Sequence, residues 1–151
     1  IWIRMQDHNS ASAASIASMT ADQLMPLGLS RRKAEYLIGI ADELNTGRLD
    51  LDALAKLDGE QVQARLVQIR GIGAWTADNF RLFALGDMDA WPFNDLALQE
   101  GMKRLKNLPK RPNGKAMIEL GDSWRPVRGA GALMLWHIYG ILVRQATVVE
   151  I

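Results

Sequence analysis

The sequence contains no cysteine, only two histidines, and almost no net charge, +1 at pH 7. Each shortage excludes something. Without cysteine there is no disulfide, no thiolate zinc site and no cysteine-ligated iron–sulfur cluster. His8 and His137 stand far apart, so a transition-metal site lacks ligands, and His137 reads as a helix-surface residue or a core neighbour. A near-neutral chain is not a wrapper of polyanions; any grip on one must come from a local arrangement. No run reaches the roughly 18 apolar residues of a membrane span. Ile1-Trp2-Ile3-Arg4 has no basic region followed by an apolar one, so it is not a signal peptide, and the cytoplasm is the expected compartment.

What is present is a chain of 151 residues, 48% of them hydrophobic, enough for one globular domain over 1–151. The expected class is all-α. Segment 31–44 places Ala34, Leu37, Ile40, Ala41 and Leu44 at helical spacing, opened by Ser30 and stopped by Asn45-Thr46-Gly47. Segment 50–57 is a short helix opened by Asp50 and closed near Asp58-Gly59; 60–69 is another, with Val62, Leu66 and Ile69 on one side. Segment 75–85 carries Ala77, Phe80 and Ala84 in register, and 94–105 and 115–120 follow. The last, 129–143, is the best patterned, with Ala132, Leu133, Trp136, Tyr139, Gly140 and Val143 on one stripe. No stretch has a convincing period of two, although Ala146-Thr147-Val148-Val149 can extend. Segments 9–18, rich in Ser and Ala, and 107–114, with two prolines and two basic residues, read as linkers.

A first functional signal lies in Ile69-Arg70-Gly71-Ile72-Gly73, followed by a helix opening at Ala74-Trp75-Thr76-Ala77. Glycines two apart allow a tight reversal, and they leave amide N–H groups of Arg70, Gly71, Ile72, Gly73, Ala74 and Thr76 uncovered beside a helix N-terminus, where a phosphate can sit. The plain alternative is an ordinary helix–turn–helix corner with a glycine stop. A second signal is Trp91-Pro92-Phe93-Asn94-Asp95, where Asp95 opens a helix. It reads either as a simple N-cap, which Asn94 would supply equally well, or as a functional carboxylate. Five tryptophans are present; Trp2 and Trp91 read as core fillers, and Trp124 as core or site. Met88, Met102, Met117 and Met134 read as packing. Arg31-Arg32-Lys33, Lys110-Arg111, Arg125 and Arg128 read as solvated faces first and phosphate contacts second.

Three segments then occur in a meaningful order. Leu66 through Ala77 reads LVQIRGIGAWTA, Leu85 through Leu98 carries a proline followed shortly by Asp95, and Trp124-Arg125-Pro126-Val127-Arg128 precedes the final helix with Ala132, Leu135 and Trp136. Together, over roughly 27–143, they resemble the helix–hairpin–helix (HhH-GPD) DNA glycosylase superfamily, and specifically its 3-methyladenine DNA glycosylase II branch. The resemblance implies a helix–hairpin–helix at about 60–85 and a glycosylase that flips an alkylated purine out of double-stranded DNA and hydrolyses its N-glycosidic bond. Asp95 would be the catalytic carboxylate. Trp75, Asn79, Trp124 and Trp136 would line the base pocket, with Trp75 and Trp136 the best matches. Trp75 stands where bifunctional relatives carry a lysine, and an indole cannot form a Schiff base, so a monofunctional enzyme without lyase activity is implied. Asn79 departs from the tyrosine common in this branch, which adds a hydrogen-bonding preference of its own.

The same resemblance implies no required cofactor, and a structural Na+ or K+ at the hairpin held by the carbonyls of Val67, Ile69 and Ile72. It implies damaged duplex DNA as partner, no membrane, a monomer, and a cytoplasmic place, on the nucleoid if bacterial. Members of this branch carry a mixed α/β segment and further helices before the point matching Ile1, so the chain is expected to lack them. The alternative function is a helix–hairpin–helix DNA-binding module without catalysis, or an inactive glycosylase fragment.

Overall fold

The computed structural model describes residues 1–8 and 11–149, with side chains as far as 142. Every regular element among them is helical, as the sequence predicts. The chain divides into two units, 1–72 and 73–151, each with its own buried residues.

The first unit holds α1 (Trp2–Asp7), α2 (Ala13–Ala17), α3 (Ala21–Leu24), a 3₁₀ turn (Met25–Leu27), α4 (Arg31–Asn45), α5 (Leu51–Leu54) and α6 (Gly59–Leu66). The starts are those the cap chemistry predicts. Ser30 accepts from the Lys33 amide and Asp50 from those of Asp52 and Ala53; Asp58, read in the sequence as the close of the preceding helix, instead opens α6 in a reciprocal box with Gln61. The predicted helices at 50–57 and 60–69 stop earlier, at Leu54 and Leu66. Met5, Ile16, Leu24, Leu27, Ala34 and Ala41 form one core. Two expectations fail here. Segment 9–18 is not simply a linker: Ser12 caps α2, and Ile16, flanked by Ala13 and Ala17, packs in this core against α4. One buried isoleucine suffices to dock a single turn, and no periodicity is visible over so few residues. Asn9 and Ser10 of that segment lie outside the described residues. Trp2 is not a core filler, being 59% exposed on α1.

The second unit holds α7 (Ala74–Ala84), α8 (Leu96–Leu105), α9 (Gly114–Asp122) and α10 (Arg128–Val149), so 146–149 are helical rather than extended. Leu82, Ala90, Trp91, Leu98, Met102, Met117, Ala132 and Leu135 form its core, and Trp91 is the core residue the sequence predicts. Gly101 lets α8 and α10 approach closely, since a Cβ there would stand 2.6 Å from the Leu135 carbonyl oxygen. At that contact Leu135 faces α8. Ala132 and Leu135 face inward and Trp136 and Ile138 are partly buried, while Leu133 and Tyr139 of the predicted stripe are exposed. A helix apolar on most sides does not announce its buried face in sequence. The side chain of Val143 lies outside the described residues. Met88 and Met134 are exposed, unlike the fully buried Met102 and Met117. His137 is on the helix surface.

The inward face of α7 also differs from the pattern. Ala77 is buried, but Ala84 is exposed, and Asp78, Arg81 and Leu82 are buried in its place. Two charges can turn inward because they answer each other. The Arg81 guanidinium meets Asp78 at 3.0 Å and Asp87 at 2.7 Å, which satisfies both desolvated ends.

Candidate active site

Asp95 precedes the first residue of α8, and its Oδ1 accepts the Leu98 amide at 2.9 Å. The N-cap reading of this residue therefore holds. Its carboxylate does more than cap. The indole Nε1–H of Trp75 donates to Oδ2 at 2.7 Å, and that of Trp136 donates to Oδ1 at 3.2 Å. Three elements of the second unit thus converge on one carboxylate: the second residue of α7, the start of α8, and the middle of α10. Asp95 is half-buried and Trp75 is 51% exposed, so the group is open to solvent on the Trp75 side. An acceptor with three N–H donors is held in a fixed orientation.

The remaining pocket candidates separate. Asn79, one turn after Trp75, is half-buried and donates its Nδ2–H to the Trp75 carbonyl at 2.7 Å, which ties its amide plane to the helix. Trp124 sits with the core: it meets Trp91 edge to face at 5.8 Å, and Lys106 lies over its ring. One neighbour escapes sequence reading. Phe83 is 64% exposed and stacks on Trp136, with centroids 5.8 Å apart and planes inclined by 26°. The signal that could have found it is spacing, since Trp75, Asn79 and Phe83 are successive i, i+4 positions of α7.

A chain of ion pairs fixes the loop that delivers Asp95. Arg81 holds Asp87 from α7, and Asp87 Oδ1 accepts the Asp89 amide at 2.9 Å. Asp89 in turn receives Arg128 at the start of α10, through Nε at 2.8 Å and Nη2 at 2.7 Å, and Arg125 at 3.1 Å. The Arg128 hydrogen bond, opposed by partial burial, holds the Asp89 carboxyl below the usual carboxylate range. Arg125 and Arg128 are therefore engaged in structure rather than in a merely solvated face. Lys110 is exposed in its loop, whereas Arg111 reaches Glu100 at 3.4 Å.

The glycine turn lies where the units join in sequence. Arg70, Gly71 and Ile72 end the first unit, and Gly73, Ala74 and Thr76 begin the second; all but Ile72 are exposed. The expectation that both glycines need special geometry is half corrected. Gly71 has φ +97°, and a Cβ there would run into the Tyr36 ring, over which Arg70 also lies. Gly73 has φ −94° and ψ 172°, open to any residue, with free space where a Cβ would point. Gly73 matters by what it lacks. It supplies no side-chain cap to α7, while Ser30, Asp58, Asp95 and Asn113 each cap their helices. The N-cap residue Gly73 therefore offers the first amides of α7 no side-chain acceptor. Val67 and Ile69, the other cation candidates, lie just after α6, and the Ile69 carbonyl accepts the Ile72 amide at 3.0 Å.

An all-helical chain that sets a capping aspartate between two indoles and opens the preceding helix with a glycine turn is of the class that the three sequence motifs resemble. The family model for HhH-GPD superfamily base excision DNA repair proteins matches residues 4–126, and the chain belongs to that superfamily. It is 30% identical over 123 residues to a DNA-3-methyladenine glycosylase of Bacillus subtilis (strain 168), covering 82% of this chain and 41% of that protein. It is 33% identical over 122 residues to DNA-3-methyladenine glycosylase 1 of Schizosaccharomyces pombe, covering 80% and 54%. The solved structure of the Schizosaccharomyces pombe 3-methyladenine DNA glycosylase in complex with abasic DNA superposes with a TM-score of 0.78 at 31% identity, covering 83% of this chain and 61% of that one. The chain spans about half the length of the curated relatives it matches.

Proposed function

We propose that this chain is the catalytic helical part of a monofunctional DNA glycosylase that releases alkylated purines such as 3-methyladenine from double-stranded DNA. The observation that carries the reading is the convergence of the Trp75 and Trp136 indoles on Asp95. A base drawn out of the duplex needs aromatic walls, and an alkylated purine carries a positive charge that indole faces attract. Breaking the N-glycosidic bond builds positive charge on the deoxyribose, which an oriented carboxylate stabilises. The electron pair of the C1′–N bond leaves with the base and neutralises it. A water oxygen bonds to C1′, and its proton passes to Asp95 or to solvent. Asn79 would add a hydrogen-bond acceptor, its Oδ1, to the wall that selects the base.

The segment 60–85 would serve as the helix–hairpin–helix, with the uncapped amides at Ala74 and Thr76 and those of Arg70, Gly71 and Gly73 taking DNA phosphates, while the Ile72 amide, expected to do the same, is engaged by the Ile69 carbonyl. The carbonyls of Val67, Ile69 and Ile72 are the hard oxygen donors that an alkali cation takes. The Ile69 oxygen keeps a second lone pair beside its bond from Ile72, so these donors fit such an ion, which would brace the turn electrostatically. No other cofactor enters the reaction. We place the protein in the cytoplasm, on the DNA, acting as a monomer; no helix among the described residues is long and apolar enough to cross a membrane.

The test is to incubate the protein with duplex DNA carrying 3-methyladenine and measure free base. Release above the spontaneous rate supports the proposal. DNA binding with no release would leave a helix–hairpin–helix DNA-binding module instead.

A further inference from the structure

Phe83 presents an anomaly that the reaction does not explain. It is a large aromatic residue 64% exposed, placed on the same face of α7 as Trp75 and Asn79. Its aromatic partner among the described residues is Trp136, stacked at 5.8 Å with the planes inclined by 26°. Trp136 is only partly buried, on a helix whose Ala132 and Leu135 are fully buried. Its Nε1–H bond to Asp95, at 3.2 Å, is also the longer of the two indole bonds. An indole held by a long hydrogen bond at one edge retains freedom about its χ2 torsion unless something covers its face.

We propose that Phe83 is a positioning residue: its ring fixes the plane of Trp136, so that the indole N–H stays aimed at Asp95 and the indole face stays aligned as a wall for the extruded base. This rests on the reading of Asp95 as the catalytic carboxylate. The geometry gives three linked aromatic and polar groups, Phe83 to Trp136 to Asp95, across α7, α10 and α8. The exposed position of Phe83 means that its removal leaves no cavity in the core. Function and folding are therefore separable at this residue.

The experiment uses Phe83→Ala and Phe83→Tyr in the full chain. The first readout needs no turnover: the indole Nε1–H resonance of Trp136 in 15N-labelled protein, assigned by its loss in Trp136→Phe. Phe83→Ala should move that resonance and speed its solvent exchange several-fold, leave the Trp75 resonance in place, and keep the melting temperature near that of the parent. Phe83→Tyr, which restores the ring, should return the resonance. The second readout is base release, where Phe83→Ala should lower kcat about fivefold to tenfold, the worth of one aromatic stack, with affinity for abasic duplex DNA changed less than about twofold. An unmoved Trp136 resonance in folded Phe83→Ala overturns the positioning role, whatever the activity. So does a loss of DNA affinity at unchanged kcat, which makes Phe83 a DNA contact. If the resonance responds as expected but the parent protein releases no base, the positioning role stands and the glycosylase reading fails.

Discussion

The Trp75 indole N–H lies 2.7 Å from Oδ2 of Asp95, an acceptor twenty residues further along the chain. That bond makes Asp95→Asn an informative substitution. Asparagine is as good an N-cap as aspartate, and its Oδ1 can still accept the Leu98 amide. Its Nδ2 then faces the Trp75 N–H, donor against donor, and the negative charge is gone. The expected outcome is a fall in kcat of at least about a hundredfold, with melting temperature and abasic-DNA affinity nearly unchanged. Base-release kinetics beside DNA titrations check it. Near-parental turnover in the variant would remove Asp95 from the mechanism.

On the proposed reading, Trp75 stands where a lyase would need an amine. Reaction with DNA in the presence of borohydride should therefore trap no covalent protein–DNA adduct, while free base accumulates. Denaturing electrophoresis shows the answer directly, and a shifted band would mean that some lysine forms a Schiff base at C1′.

The two glycines of the turn before α7 should part company. Gly71→Ala forces a Cβ into a φ of +97° against the Tyr36 ring, and should cost about 1–2 kcal/mol or more of stability. Gly73→Val meets ordinary dihedrals and open space, so folding should be nearly unaffected. If a phosphate sits on the α7 amides, the valine crowds it and weakens DNA binding by about tenfold at unchanged stability. Arg70→Ala, which removes a charge but no amide, should weaken binding less and lower the salt dependence by about one counterion at most. Thermal melts and DNA titrations at several salt concentrations separate these effects; Arg70→Ala proving the more damaging to binding would make the site an ordinary basic patch.

Asp89 gives a pH prediction. Its carboxyl lies below its ordinary value because Arg128 hydrogen-bonds the charged form. A depressed folded value means that the interaction stabilises the fold fully above the unfolded pKa, about 4, and that this stabilisation is lost as pH falls through the folded value beneath it. Asp89→Asn should thus be less stable than the parent by roughly 1–3 kcal/mol at pH 6, and the gap should close below about pH 4. Melting curves across that range check it, and a gap independent of pH would assign the loss to packing rather than to the ion pair.

The sequence by itself determined the all-helical class, the caps at Ser30 and Asp50 and the order of the three motifs, and it singled out Asp95 and Trp75, whose side chains the structure joins by a hydrogen bond. Those features are local, or are carried by motif spacing, and local chemistry is legible in one dimension. Tertiary structure alone decided the rest. It chose which face of α10 is buried, because a mostly apolar helix has no unique stripe and Gly101, lacking a Cβ, lets Leu135 come close to α8. It turned Asp78 and Arg81 inward, because two opposite charges one turn apart can bury together although each alone reads as solvent-facing. It assigned Trp124 to the core and left Trp2 outside, since tryptophan tolerates both environments. It also brought Phe83 onto Trp136, a contact between residues far apart in the chain, which only the meeting of α7 with α10 could create.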